Sequence, residues 1–223
     1  MNKVAFLTTV FPENEEFLKT FFNSLSTQTY KNFDLVIIND DFKNLDFYKD
    51  LYTNLNIIDI NSCNTPAKNR EVGINYCIDQ NYDVLVFGDS DDYFKDNRIE
   101  KSLELLKKSD VIVNDLSLFD ENGVYEKNYL SNRLKNLDII DFKFIKDKNI
   151  FGMSNTAIKL KNIKKVSFNS TIVAVDWFFF KTILKKNHRA IFTNETETFY
   201  RQYKNNTIGL HVKNNKFYLW WEK

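Results

Sequence analysis

Val84-Leu85-Val86-Phe87-Gly88-Asp89-Ser90-Asp91-Asp92 is the stretch on which the reading of this chain turns. Four apolar residues in a row fit a short strand covered on both faces. Carboxylates follow at once. Adjacent carboxylates repel one another, so without a cation the clustering is destabilising or raises a pKa. Hard oxygen donors suit Mg²⁺ or Mn²⁺, and Mg²⁺ usually keeps waters while binding one or two carboxylates plus phosphates. The competing reading is a solvated acidic turn that caps the next helix, with Asp96 or Asn97 as N-cap. A second acidic pair, Asp40-Asp41, stands at the end of another apolar run and favours a site.

On either side of this stretch the chain alternates. Val4–Leu7, Leu35–Ile38, Ile57–Ile60 and Val111–Val113 are further short apolar runs. Between them Phe17, Leu18, Phe21, Phe22 and Leu25 share one helical face, Pro66 opens a helical stretch to Ile78, and Ile99, Leu103 and Leu106 mark another. Alternation of this kind predicts an α/β fold with a mostly parallel central sheet and helices on both faces. Ligands then bind beyond the carboxyl ends of the strands. Thr8 and Thr9, then Asn39 to Asp41, then Asp89 to Asp92 gather there. The second half is less regular: Glu121-Asn122-Gly123 reads as a turn between strands, and residues 176–186 as an aromatic-rich helix. No linker divides the chain, which is read as one domain over 1–223, with a nucleotide-binding half to about residue 115 and an acceptor-binding half from about 116.

Composition narrows the classes. At 223 residues, with 21 Phe and 11 Tyr, the chain can build its own core without disulfide or metal staples. A net charge of +1 and the lack of a long basic run or zinc-finger spacing argue against nucleic acid as a partner. Cys63 and Cys77 form no metal spacing and read as ordinary thiols. The amino terminus lacks the apolar stretch of a signal peptide, and no run approaches the roughly 20 residues of a spanning helix. A soluble, cytoplasmic protein is expected.

Several ordered segments together resemble the family 2 glycosyltransferases of the GT-A, Rossmann-like fold. They are Val4–Thr9; Ser24–Tyr30 followed by Phe33–Asp41; Arg70–Ile74; Phe87–Asp92 with Arg98-Ile99; Val175–Phe179; and Tyr200–Tyr203. The resemblance runs from about Val4 to about Gly209. It implies a metal-dependent inverting transferase moving a sugar from a nucleotide diphosphate, most simply a UDP-sugar, to a hydroxyl of a glycan, lipid-linked or protein acceptor. It implies roles residue by residue. Thr9 and Phe11 meet the nucleobase, Asp40 accepts from the uracil imide, and Arg70 lies near base or diphosphate. Asp89 and Ser90 serve the nucleotide, with Asp89 also holding a metal water. Asp91 ligates Mn²⁺ or Mg²⁺, Asp176 is the general base, and Arg201 neutralises diphosphate charge. Ser154 and Asn155, in the acceptor region, and Trp177 are candidate contacts for sugar or acceptor. Glu71 stands where the family has Asn, Asn39 where it has an acid, and Tyr203 where it has His.

Bland alternatives accompany these roles. Asp176 also suits an N-cap or first-turn acid. His188 reads as part of a solvated basic helix end, and His211 as structural or as a late metal or phosphate contact. Trp220 and Trp221 read as core packing, with peripheral membrane contact or a homodimer contact as alternatives. A sugar nucleotidyltransferase would need a glycine-rich loop after the first strand, and no Gly precedes Gly73. A catalytically silent binding module would not need Asp40, Asp91 and Asp176 together.

Overall fold

All five apolar runs become strands of one sheet. A computed structural model describes residues 2–186 and 188–203. The strands are β1 (Val4–Val10), β2 (Asp34–Asn39), β3 (Asn56–Asn61), β4 (Val84–Phe87), β5 (Tyr93–Phe94), β6 (Val111–Asp120), β7 (Gly123–Glu126), β8 (Ile139–Ile140), β9 (Thr156–Lys159) and β10 (Ala190–Arg201). The helices are α1 (Glu15–Ser26), α2 (Leu45–Leu51), α3 (Pro66–Asp79), α4 (Arg98–Leu106), a single turn α5 (Phe142–Ile145) and α6 (Val175–Leu184).

Strand order is β3-β2-β1-β4-β9-β6-β10-β5, with β7 beside β6 and β8 beside β10. The longer pairings, β1–β2, β2–β3, β1–β4 and β6–β10, are parallel. The sheet is thus mostly parallel, as expected, with a refinement. β9 is inserted antiparallel between β4 and β6, and β5, β7 and β8 add short antiparallel pairings. Two buried layers flank it. Leu18, Phe21, Phe22 and Leu25 of α1 lie with Leu45 of α2 and Ile99 of α4 on one face, and Ala67 and Ile74 of α3 lie with Ile145 of α5 and Phe179 and Ile183 of α6 on the other. Phe17 departs from its expected face and is only half-buried.

Local chemistry explains the ends. Thr65 caps α3, accepting from Lys68 N, and Pro66 takes the first turn, where its missing N–H is not needed. Asn97 does precede α4, but its side chain makes no cap bond; its amide donates instead to Glu195 O at 3.2 Å. Residues 151–155 are not a strand: β9 begins only at Thr156. The aromatic helix spans Val175–Leu184, slightly earlier than the sequence suggested. His188 is half-buried rather than fully solvated, its ring 3.4 Å from Asp110 with a side chain 17% exposed.

Two glycines mark close approaches. A Cβ on Gly73 would stand 2.7 Å from Leu7, and one on Gly88 would stand 2.3 Å from the Phe6 ring and 2.7 Å from Phe94. Both phenylalanines are fully enclosed, so neither ring can withdraw. Gly88→Ala is therefore expected to destabilise the fold by about 1–3 kcal/mol through overpacking. Urea denaturation measures this; an unchanged midpoint would mean that Phe6 moves freely.

Candidate functional site

The sheet reverses its growth at β1. The chain adds β2 and β3 on one side of β1 and then places β4 on the other. At such a switch point the connections leave in opposite directions and open a crevice beyond the carboxyl ends of the strands. A cleft is found there, lined by Leu7, Thr8, Thr9, Ile38, Asn69, Arg70, Phe87, Gly88, Asp89 and Met153. Thr9, Arg70 and Asp89, three of the residues singled out in the sequence, face this one space. Thr8 is 3% exposed and its hydroxyl has no hydrogen-bond partner among the described residues. A buried, unpaired hydroxyl beside a cleft suits a ligand or a water.

The remaining nucleotide candidates surround it. Phe11 is half-buried just after β1. Asp40 accepts from Asn69 Nδ2 at 2.9 Å, and Asn69 is wholly buried against Ser62. Ser90 donates its hydroxyl to Thr9 O at 2.8 Å, tying the acidic loop to the end of β1. Arg70 approaches Asp89 at 3.5 Å. Next to it, Glu71 accepts Phe168 N at 2.6 Å and pairs with Lys68 at 2.7 Å. The Glu in place of the family's Asn thus fastens α3 to the loop that leads into α6.

The acidic loop divides its carboxylates by depth. Asp92 is 1% exposed. It accepts the hydroxyl of Ser154 in a short bond and Arg201 N at 2.8 Å. Burial, and then the neighbouring Asp91 and Asp89, push its pKa well above the usual carboxylate range. Asp91 accepts the Tyr203 hydroxyl at 3.1 Å, and its backbone carbonyl accepts Arg201 Nε at 2.7 Å. Burial and then Asp89 raise Asp91 to about 6, opposed by Tyr203 and Arg201. The residue standing in the place of the family's His therefore touches the carboxylate assigned to the metal. The Arg201 guanidinium lies over the rings of Phe17 and Phe119, 4.2 and 4.4 Å from their centres.

Asp176 lies in the first turn of α6 and accepts Trp177 N at 2.7 Å. It is partly accessible yet largely enclosed by protein. Burial raises its pKa, against the Trp177 N–H and the charge of Arg70, while Asp89 pushes it up further. Arg70 and Asp89 thus act on Asp176 electrostatically, which links the cleft to α6. The three acceptor candidates are engaged with protein. Ser154 is buried and bonded to Asp92, while Asn155 accepts Gly152 N and donates to Asn114 O and Ile150 O. Trp177 donates to Ile145 O at 2.9 Å and lies under Lys181. His211, Trp220 and Trp221 lie outside the described residues.

The sequence marked Arg98 only as part of a matching segment and gave it no role in the site. It is fully buried, donates Nη2 to Phe87 O at 2.6 Å and Nε to Asn114 at 3.0 Å, and stacks 4.5 Å from the Phe94 ring. Burial lowers its pKa to about 9, and the charges of Asp92 and Asp89 oppose that shift. The signal was present in Asn97-Arg98-Ile99, a charged residue directly before an apolar helix position. Tyr200, likewise quoted without a role, has its hydroxyl pKa pushed well up by burial and then by Asp92, Asp89, Asp91 and Asp176.

Among the described residues no three His, Cys, Asp or Glu side chains are arranged to hold an ion. A dedicated protein cage is therefore absent there. One or two hard carboxylate oxygens shared with phosphates is the remaining mode, and the donor set of Asp91 and Asp89 fits it.

The family model described as "Glycosyl transferase family 2" matches residues 6–166. No curated protein matches the chain in sequence. Among solved structures, TarS residues 1–349 from S. aureus in complex with UDP-GlcNAc aligns with a TM-score of 0.72 at 16% identity, over 92% of this chain and 60% of that one. The mannosyltransferase PcManGT from Pyrobaculum calidifontis, in complex with GDP-Man and Mn²⁺, aligns at 0.67 with 13% identity, over 92% and 59%. GalNAc-T7 with UDP, GalNAc and Mn²⁺ aligns at 0.64 with 11% identity, over 91% and 44%. At these identities the likeness shows the fold, and the chain spans about three-fifths of the first two proteins.

The raised carboxylates have a consequence for stability. Asp91 titrates near 3.8 when unfolded and about 6 when folded, so the native state holds the extra proton between these values. Its contribution is most favourable below pH 4 and is lost as pH rises through 6, by on the order of 3 kcal/mol before any discount for solvent screening. Without divalent ions, Asp91→Asn is expected to gain stability relative to wild type as pH rises from 4 to 7. Thermal melts across that range decide it, and a difference that stays flat with pH would show that the carboxylate is not strained.

Proposed function

The chain belongs to glycosyl transferase family 2, and from this premise we propose that it transfers a sugar from a nucleotide diphosphate to a hydroxyl acceptor, with inversion at the anomeric carbon. The observation that carries the reading is the convergence of Thr9, Arg70 and Asp89 on the switch-point cleft, with Asp91 and Asp176 on the elements beside it. UDP is the nucleotide favoured. Asp40, held at 2.9 Å by Asn69, presents an acceptor for an imide N–H, and Phe11 supplies an apolar ring next to the end of β1.

The diphosphate belongs at the acidic loop, beside Arg70 and Arg201. Asp91, aided by Asp89, would hold Mn²⁺ or Mg²⁺ there, which supplies positive charge to the leaving phosphate oxygens as the glycosidic bond lengthens. Arg201 is fixed by its bonds to the backbone of Asp91 and by the two rings it lies over, so its charge is already in place when the phosphate charge develops. Asp176 removes the proton of the acceptor hydroxyl during in-line attack. Its raised pKa makes it a stronger base than an exposed aspartate, while the Trp177 N–H and Arg70 oppose the rise. Ser154, Asn155 and Trp177 act by bracing: Ser154 fixes Asp92 under the loop, and Trp177 ties α6 to α5. The nucleotide half ends near residue 115, and the remainder shapes the acceptor side.

Two variants test the assignment. Asp91→Ala is expected to remove Mn²⁺-dependent UDP binding in calorimetry, and unchanged affinity would refute the metal role. Asp176→Asn is expected to keep UDP binding and to lower the turnover of transfer by about 10²–10⁴-fold. In wild type, the acid limb of turnover should lie above the usual carboxylate range, because the raised group must lose its proton first. Normal turnover in the Asn variant would rule out Asp176 as the base.

A further inference from the structure

Charge is distributed unevenly along this chain. Residues 141–189 contain eleven Lys and Arg against three Asp, a formal +8 in 49 residues. The whole chain carries +1, so the other residues together carry −7. Most of the basic segment builds one layer. Ile145 of α5, Phe168 of the following loop, and Phe179 and Ile183 of α6 share a buried cluster with α3, on the face of the sheet opposite α1, α2 and α4. Lys143, Lys146, Lys148, Lys161, Lys164 and Lys185 of that segment are all exposed. Among the described residues, Lys165, which meets Asp79 at 2.8 Å, is the one Lys or Arg of the segment that has a carboxylate within ion-pair distance. A face this cationic, and so little neutralised by its own protein, raises the local concentration of anions.

The same layer exposes apolar side chains, although the Phe178 ring also meets the edge of the buried Phe168 ring at 6.3 Å. Val173 is 65% exposed and Phe178 is 48% exposed. They flank Asp176 in sequence, three residues before and two after. Isolated exposed apolar residues need no explanation, but these two lie five residues apart, one just before α6 and one in its first half, within the basic layer. Lysines interspersed with a few exposed apolar side chains match the chemistry of an anionic bilayer surface: ammonium groups meet lipid phosphates while the apolar groups enter the interface. A soluble polyanion would use the lysines and leave Val173 and Phe178 without a role. No helix among the described residues is long and apolar enough to cross a membrane, so contact through this face would be peripheral.

We propose that the face built by α5, the loop over residues 160–174 and α6 docks on an anionic membrane surface, with Val173 and Phe178 at the lipid interface beside Asp176. The proposal does not rest on the transferase reading, because docking needs neither donor nor metal.

Co-sedimentation of the full chain with vesicles tests it. Binding is expected to vesicles of phosphatidylcholine mixed with phosphatidylglycerol, to be at least about tenfold weaker with phosphatidylcholine alone, and to fall as salt rises. Replacing Lys143, Lys146, Lys161, Lys164 and Lys185 by Gln should weaken it by at least about tenfold at an unchanged thermal midpoint. The pair Val173→Ser and Phe178→Ser should weaken it too, without reducing its salt dependence. Equal binding of the Gln variant and wild type would overturn the proposal. So would firm binding of soluble polyphosphate with none to anionic vesicles, which would make the face a polyanion site instead.

Discussion

Four carboxylates brought together at the edge of one sheet, one of them buried and three half-buried, set the terms for much of this structure. Asp89, Asp91 and Asp92 leave β4 in succession, and Asp176 faces them from α6 closely enough to feel Asp89. In a medium that screens poorly, such a cluster is held only by cations and by donated hydrogen bonds. The fold supplies both. Arg98 is wholly buried beneath the loop and grips the last carbonyl of β4, and Arg201 grips the backbone of Asp91 from the end of β10. Ser154 and the Arg201 N–H take up Asp92. Removing a buried positive partner in such a setting leaves charge uncompensated, so Arg98 is tied to the site as firmly as any residue that lines the cleft.

Topology explains why these donors arrive from distant parts of the chain. β10 runs parallel to β6, and its register breaks between Thr193 and Glu197 before Tyr200 and Arg201 reach the acidic loop. β9 lies antiparallel between β4 and β6, and the turn just before it delivers Ser154 under Asp92. The irregular second half is thus what completes the loop that the regular first half begins.

Much of this could be read from residue order, and the remainder could not, for identifiable reasons. The strands of the first half are local events: four apolar residues, a polar end, then a helix with Leu18, Phe21, Phe22 and Leu25 on one face. Their carboxyl ends converge because parallel strands joined by helices all point the same way. The antiparallel insertion of β9 is a long-range pairing of a four-residue strand, and no periodicity in Thr156–Lys159 announces it. Ser154 and Asn155 illustrate the limit. Small polar residues before a strand suit a ligand or a buried network equally well, and only the fold shows that their bonds go to Asp92 and to the backbone at Gly152, Asn114 and Ile150. Arg98 was given no role because an arginine at a helix start is ordinarily solvated, whereas here it is buried and bonded to Phe87 O and to Asn114, a residue on the next strand.

At Asp176, the proposed base, opposing effects on one carboxylate meet. A carboxylate in the first turn of a helix is favoured by the helix dipole by about 0.3–1 kcal/mol at the surface and up to about 2 kcal/mol when partly buried. Alone, this would hold the pKa low and leave a weak base. Enclosure works against it, because the charged form loses more hydration than the neutral one, and here enclosure is the larger effect, so the pKa is raised. Arg70 then limits the rise. Since Arg70 also lies 3.5 Å from Asp89, ligand charge arriving at the acidic loop would draw on the same guanidinium. A nucleotide diphosphate competing for Arg70 would leave Asp176 less stabilised as an anion and therefore more basic when the acceptor is present. On the proposed roles, the base strength of Asp176 and the filling of the cleft would in this way be coupled through one arginine.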